Sequence, residues 1–115
     1  MNFIPPQDEG RLRAAASGVL PNGKAVVVNS NGTVSVVGGG NLTAENYIGM
    51  SSGGQVASGS SATVDIIGTV NADQSSLTAG QSYYVQTDGT IGLTADDPSV
   101  FAGTAISSTE LLVKS

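Results

Sequence analysis

Apolar and polar residues alternate along two short stretches of this chain, and each alternation is turned back on itself by a glycine. The clearer stretch runs from Leu77 to Leu93, LTAGQSYYVQTDGTIGL. A leading leucine, a turn ending in Gly80, an alternating strand, the turn Thr87-Asp88-Gly89 and a second strand predict a β-hairpin. The same plan stands earlier, from Leu20 to Val36, as LPNGKAVVVNSNGTVSV. Leu20 matches Leu77, Gly23 matches Gly80, Val28 matches Val85, and Asn31-Gly32-Thr33-Val34 matches Asp88-Gly89-Thr90-Ile91. A shift of about 57 residues relates the two, which is the signature of an internal repeat. Two diverged halves sharing a hairpin are therefore the organising feature, with the repeat spanning roughly residues 11–61 and 62–115.

The hairpin register follows from burial. A two-residue turn at Asp88-Gly89 sets Tyr84 opposite Leu93 and Gln86 opposite Ile91. A three-residue loop with glycine in the left-handed conformation pairs Val85 with Ile91 and Tyr83 with Leu93. Only the second register gathers Tyr83, Val85, Ile91 and Leu93 on one face, and Val26, Val28, Val34 and Val36 on the equivalent face of the first half. A slip of one residue would scatter these groups between core and water, so the three-residue loop is expected.

Outside the hairpins the pattern is weaker. From Arg11 to Ala16, alternation puts Leu12, Ala14 and Ala16 on one side and Arg11, Arg13 and Ala15 on the other, as in an edge strand with a basic outer face. A short helical turn competes, since Ala and Arg are good helix formers and Glu9 would sit four residues before Arg13. Asn46 to Met50 reads as a strand entering the core at Tyr47. Its counterpart is Val100 to Ala105, with Tyr47/Gly49 matching Phe101/Gly103 at a shift of about 54 residues. Residues 51–61, SSGGQVASGSS, form a small-residue loop, either a mobile tip or a site closed by another subunit. Ala62 to Val70 is expected as one strand, Asn71 to Ser76 as a polar turn, and Leu111 to Lys114 as a closing strand. Residues 1–10 stand apart. Pro5-Pro6 excludes helix and central strand. The segment is either a disordered terminus or an extended arm whose Phe3 and Ile4 insert into a neighbouring molecule.

Composition narrows the chemistry. Sixteen glycines and 4% aromatic residues in 115 residues favour one all-β domain, a small antiparallel barrel or sandwich with tight turns, formed by residues 11–115. Histidine and cysteine are absent, which removes the usual proton shuttle, thiol nucleophile, thiolate metal site and disulfide. The serines have no evident base, and the carboxylates Asp65, Asp73, Asp88, Asp96 and Asp97 lack the spacing of a calcium loop. No catalytic residue, metal, cofactor or small-molecule substrate is expected. Only Arg11, Arg13, Lys24 and Lys114 are basic against a net charge of −5, so no nucleic acid is expected as a partner. No stretch reaches membrane-spanning length and the N-terminus lacks the n- and h-regions of a secretory signal, so a protein made in the cytoplasm without a membrane partner is expected.

The block LTAGQSYYVQTDGTIGLTADDPSVFAGTAISSTELLVKS resembles a β-module of tailed-bacteriophage structural proteins, found in capsid decoration (cement) proteins and in tail and tail-fibre proteins. The first half, SGVLPNGKAVVVNSNGTVSVV followed by ENYIGMSS, is similar to the segment that usually precedes it. The likeness spans most of residues 17–115 and is most specific at Leu77, Gly80, Tyr83-Tyr84-Val85, Asp88-Gly89-Thr90 and Leu111 to Lys114. With no shaft repeat or coiled coil, the chain resembles the decoration proteins more than a fibre. That resemblance implies a homotrimer on the outer surface of the virion capsid, binding the major capsid protein through Phe3, Ile4, Pro5, Pro6, Arg11 and Arg13. Val27 and Tyr84, opposite the presumed hairpin cores, are the candidates for the subunit interface or for a second layer of a barrel. The other expectation is a tail or tail-fibre-associated module that contacts a host glycan or another tail protein through the loop at 51–61.

Overall fold

A computed structural model of the protein describes residues 11–43 and 45–113. Ten short strands and no helix run through them. β1 (Arg11–Ala15), β2 (Ala25–Val28), β3 (Val34–Val36), β4 (Tyr47–Ser52) and β5 (Ser61–Ile66) form one sheet in the order β1-β5-β4-β2-β3. β6 (Val70–Asn71), β7 (Ser82–Val85), β8 (Ile91–Gly92), β9 (Phe101–Ala105) and β10 (Leu111–Val113) form a second in the order β6-β10-β9-β7-β8. These are one strand order written twice, so the duplication in the sequence is a duplication in topology. The fold is all-β, a small sandwich of two antiparallel sheets.

Both hairpins adopt the three-residue loop. Val28 pairs with Val34 and Val85 with Ile91. The loops close through Asn29 N–H to Thr33 O and Gln86 N–H to Thr90 O, each 2.8 Å. Gly32 and Gly89 take φ of 86° and 90°, a conformation in which a Cβ is penalised. Asn31 and Asp88 brace the two loops alike, each accepting from the backbone and the hydroxyl of the threonine two residues on. The duplication extends to an irregularity: the pairing of β2 with β4 shifts between Val26 and Val27, and that of β7 with β9 between Tyr83 and Tyr84. It also extends to a close approach. A Cβ on Gly49 would collide with the carbonyl oxygen of Asp65, and one on Gly103 with that of Leu112.

Each half has its own apolar interior. Leu20, Val26, Val34, Ala62 and Val64 fill the first, together with Ala16. That sheet curls until its ends meet: beyond β1, Ala16 bridges Val34, and Ser17 N–H donates to Val34 O at 2.8 Å. The second interior holds Tyr83, Val85, Ala102, Leu111 and Val113, and it is covered by Ala25, Val27, Tyr47 and Met50 from the outer face of the first sheet. Burying these side chains is the principal stabilising term.

Several expectations are corrected. β1 is a strand, not a helical turn, because its backbone groups pair with β5 from Arg11↔Asp65 to Ala15↔Ser61. The stretch 62–70 is two strands, not one. Gly68 at φ 94° and a turn bond from Thr69 N–H to Ile66 O reverse the chain, so β5 stays in the first sheet and β6 starts the second. The first half therefore extends to Ile66. Asn71, expected in a polar turn, is a fully buried strand residue. Leu93 lies beyond β8 and is 56% exposed, so it does not join the face of Tyr83. The loop after β4 is not a free tip: Leu20 and Val56 exchange two backbone bonds of 2.9 Å, and Gly59 N–H donates to Ala16 O at 2.8 Å.

Candidate interaction surfaces

The sequence-predicted partner residues separate into different environments. Phe3, Ile4, Pro5 and Pro6 lie outside the described residues. Arg11 is committed within its own chain. Its Nε donates to Oδ1 of Asp65 at 3.3 Å, where the arginine side chain is 58% exposed and the aspartate 3%. The other carboxylate oxygen accepts from Asn71 Nδ2 at 3.0 Å, and the same amide reaches Ser51 O. A buried carboxylate needs such partners, since an unpaired charge in the interior is costly. Arg11 thus belongs to a polar network that ties β1 to β5, β4 and β6. Arg13 is exposed and, among the described residues, forms no ion pair.

Of the two expectations for Val27, the structure fits the second layer and not the subunit interface. None of its surface is exposed, and it packs in the core between the sheets, so it has no area to offer another subunit. Alternation along β2 puts it there: Ala25 and Val27 face the second half, while Val26 faces the interior of the first. Tyr84, its counterpart, is half-buried and meets Phe101 edge-on, with ring centroids 5.8 Å apart and planes at 63°. Such geometry suits the ring quadrupoles. The pair forms a compact aromatic knob on the outer face of the second sheet.

Two concavities were not foreseen. An apolar groove of about 280 Å³ is lined by Leu12, Tyr47, Ile48, Ile66 and Ile67. The signal for it was the doublet Ile66-Ile67 at the end of a strand. Neighbours in a strand face opposite ways, so one of two large apolar residues must leave the core; Ile67 is 50% exposed. A polar cleft of about 380 Å³ lies where the halves meet, lined by Asn22, Lys24, Asp73, Gln74, Tyr83 and Thr90 among others. Gln74 spans its floor, donating to Gly23 O at 3.1 Å and to Asn71 Oδ1 at 2.8 Å.

The ionisable groups are held by local structure. Hydrogen bonds from the hydroxyl and backbone of Thr90 keep the Asp88 carboxyl below its usual range. The backbone N–H groups of Thr87 and Asp97 do the same for Asp96. Burial pushes the Tyr47 phenol upward, so it stays a neutral donor to Ala102 O at 3.2 Å. Among the described residues no group of three or more His, Cys, Asp or Glu is placed to hold a metal ion.

Compared with known proteins, the chain matches no family model, and no curated protein matches it significantly.

Proposed function

We infer that this protein is a non-enzymatic structural component of a tailed-phage virion. It binds the outer surface of the assembled capsid as a homotrimer and stabilises it by bridging neighbouring major capsid proteins. The observation that carries this reading is the duplicated two-sheet module, whose polar side chains are spent on holding its own strands, as in the Asp65–Arg11–Asn71 network. The resemblance of residues 17–115 to phage structural modules agrees with it.

The mechanism is linkage. A protein that binds the assembled shell but not its free subunits stabilises the shell, by about 2.7 kcal/mol per site at a concentration a hundredfold above Kd. Three joined copies raise the effective concentration of each arm, so weak contacts by Phe3, Ile4, Pro5 and Pro6 add up to firm attachment. Arg13 supports the arm with an uncommitted positive charge. Arg11 is a more constrained member of that set, since its Nε is engaged by Asp65 although its side chain is 58% exposed.

Deleting residues 1–10 is expected to abolish binding to undecorated capsids, read by co-sedimentation, while circular dichroism of the free protein is unchanged. Undiminished occupancy would refute the arm mechanism. The polar cleft favours a second reading, a tail-associated module that binds a host glycan there and not at the pinned loop 51–61. Localising the chain in the particle by cryo-electron microscopy separates the two.

A further inference from the structure

The halves of this molecule are joined head to tail, and the joint is left open at both ends. The outer face of the first sheet (Ala25, Val27, Tyr47 and Met50) is buried against the interior of the second half. By strand register these residues correspond to Ser82, Tyr84, Phe101 and Thr104. Among the described residues no second layer covers the counterparts: Ser82 is exposed, and Tyr84, Phe101 and Thr104 are half-exposed.

The receiving side shows the complementary asymmetry. In the second half Val85, Ala102 and Val113 are fully buried beneath the first half. Their counterparts Val28, Ile48 and Ile66 are partly exposed, with Val28 at 37%. Gly89 is buried, its missing Cβ facing Val37 O at 2.7 Å, and its carbonyl accepts from Ala25 N–H at 3.0 Å. Gly32, the matching glycine, is exposed with nothing within 4 Å. Ile48 and Ile66, the uncapped counterparts, line the apolar groove together with Leu12 and Ile67.

We propose that the Tyr84–Phe101 knob of one copy docks in the Leu12–Ile48–Ile66–Ile67 groove of a second copy, repeating between molecules the joint that holds the two halves together within one. Phe101 takes the place of Tyr47, whose contact on β9 within the chain is at Ala102, and meets the equivalent residue, Ile48, across the joint. Phe101 has no hydroxyl, so this version of the joint is wholly apolar at that point. The interface is heterologous, one patch meeting a different patch, and such interfaces close into rings when the rotation allows. The homotrimer proposed above is then a ring of three such joints. Because the chains carry like net charge, −5 each, added salt strengthens their association by screening.

The test is the mass of the full-length protein in analytical ultracentrifugation, against a monomer of 11.4 kDa. The wild type is expected to form a concentration-dependent oligomer. Tyr84→Lys on the knob and Ile67→Glu on the groove rim each weaken association at least ~10-fold, as loss of an interface anchor does, with circular dichroism unchanged. Mixing the two variants restores a complex, because one intact knob meets one intact groove. A monomeric wild type, single variants of unchanged mass, or a mixture that stays monomeric overturns the proposal. Should either variant unfold, single-cysteine variants Tyr84→Cys and Ile67→Cys serve in its place, since the chain has no native cysteine. Mixed under oxidation, they are expected to give a cross-linked heterodimer in excess of either homodimer, and failure to do so overturns the joint. The joint rests on the capsid-binding trimer proposed above, and the two are told apart because co-sedimentation of the 1–10 deletion reads the arm while ultracentrifugation of the free protein reads the joint.

Discussion

Asp65 is where a single side chain controls the most structure. It sits between Val64 and Ile66 in a strand, only 2% exposed, and its two oxygens are divided between Arg11 and Asn71. Asn71 in turn donates to Ser51 O and accepts from Gln74. Asp65→Ala is therefore expected to destabilise the protein by about 1–3 kcal/mol, the range for leaving a buried partner unsatisfied. Asp65→Asn should cost less, since one carbonyl oxygen survives to accept one of the two donors. Urea denaturation measures both, and a loss below about 0.5 kcal/mol for the alanine variant, the scatter of ordinary surface changes, would show the network to be incidental. None of this was legible in the residue type. An aspartate in a strand reads as a surface group, and only the fold brings Arg11 and Asn71 to it from positions 54 and 6 residues away.

The two hairpins are nearly the same element in two surroundings, which turns them into a controlled comparison. Gly32 and Gly89 have φ of 86° and 90°, so replacing either with alanine adds backbone strain of more than ~1 kcal/mol. At Gly32 nothing lies within 4 Å of the new methyl group, whereas at Gly89 it meets Val37 O at 2.7 Å and a Val36 methyl at 3.3 Å. Gly89→Ala should then be the more damaging by roughly 1–3 kcal/mol, the usual cost of overpacking, and equal midpoints in thermal melts would contradict the head-to-tail packing of the halves. The register of these hairpins was readable beforehand because period-2 alternation and a glycine at a fixed offset agree on one answer. The division of ATVDIIGTV was not. Ile67 and Thr69-Val70 have the same strand preference as their neighbours, and only the left-handed turn at Gly68 separates β5 from β6. Val27 was legible only in part: alternation puts it opposite Val26, and only the fold shows that the second half covers that face.

At the scale of the molecule, the second half borrows its core. Met50 belongs to β4 of the first sheet, yet its fully buried side chain packs in the cluster of Tyr83, Val85, Leu111 and Val113. The first half keeps a separate interior, closed by the Ala16–Val34 bridge. Small single domains usually unfold in one step, and a shared core is the physical reason to expect it of these two halves. Met50→Ala tests that expectation. A cavity at a fully buried methionine costs about 2–5 kcal/mol. If the halves unfold together, amide signals from β5 and from β10 lose intensity at the same, lowered denaturant midpoint, although Met50 lies in only one of the two sheets. If the first half instead stands on its own interior, the β10 signals disappear early while those of β5 keep their wild-type midpoint. The joint between halves would then be a docking contact between two separately stable units. The single-midpoint outcome is expected, because Ala25, Val27, Tyr47 and Met50 would otherwise present a continuous apolar face to water whenever the second half opened.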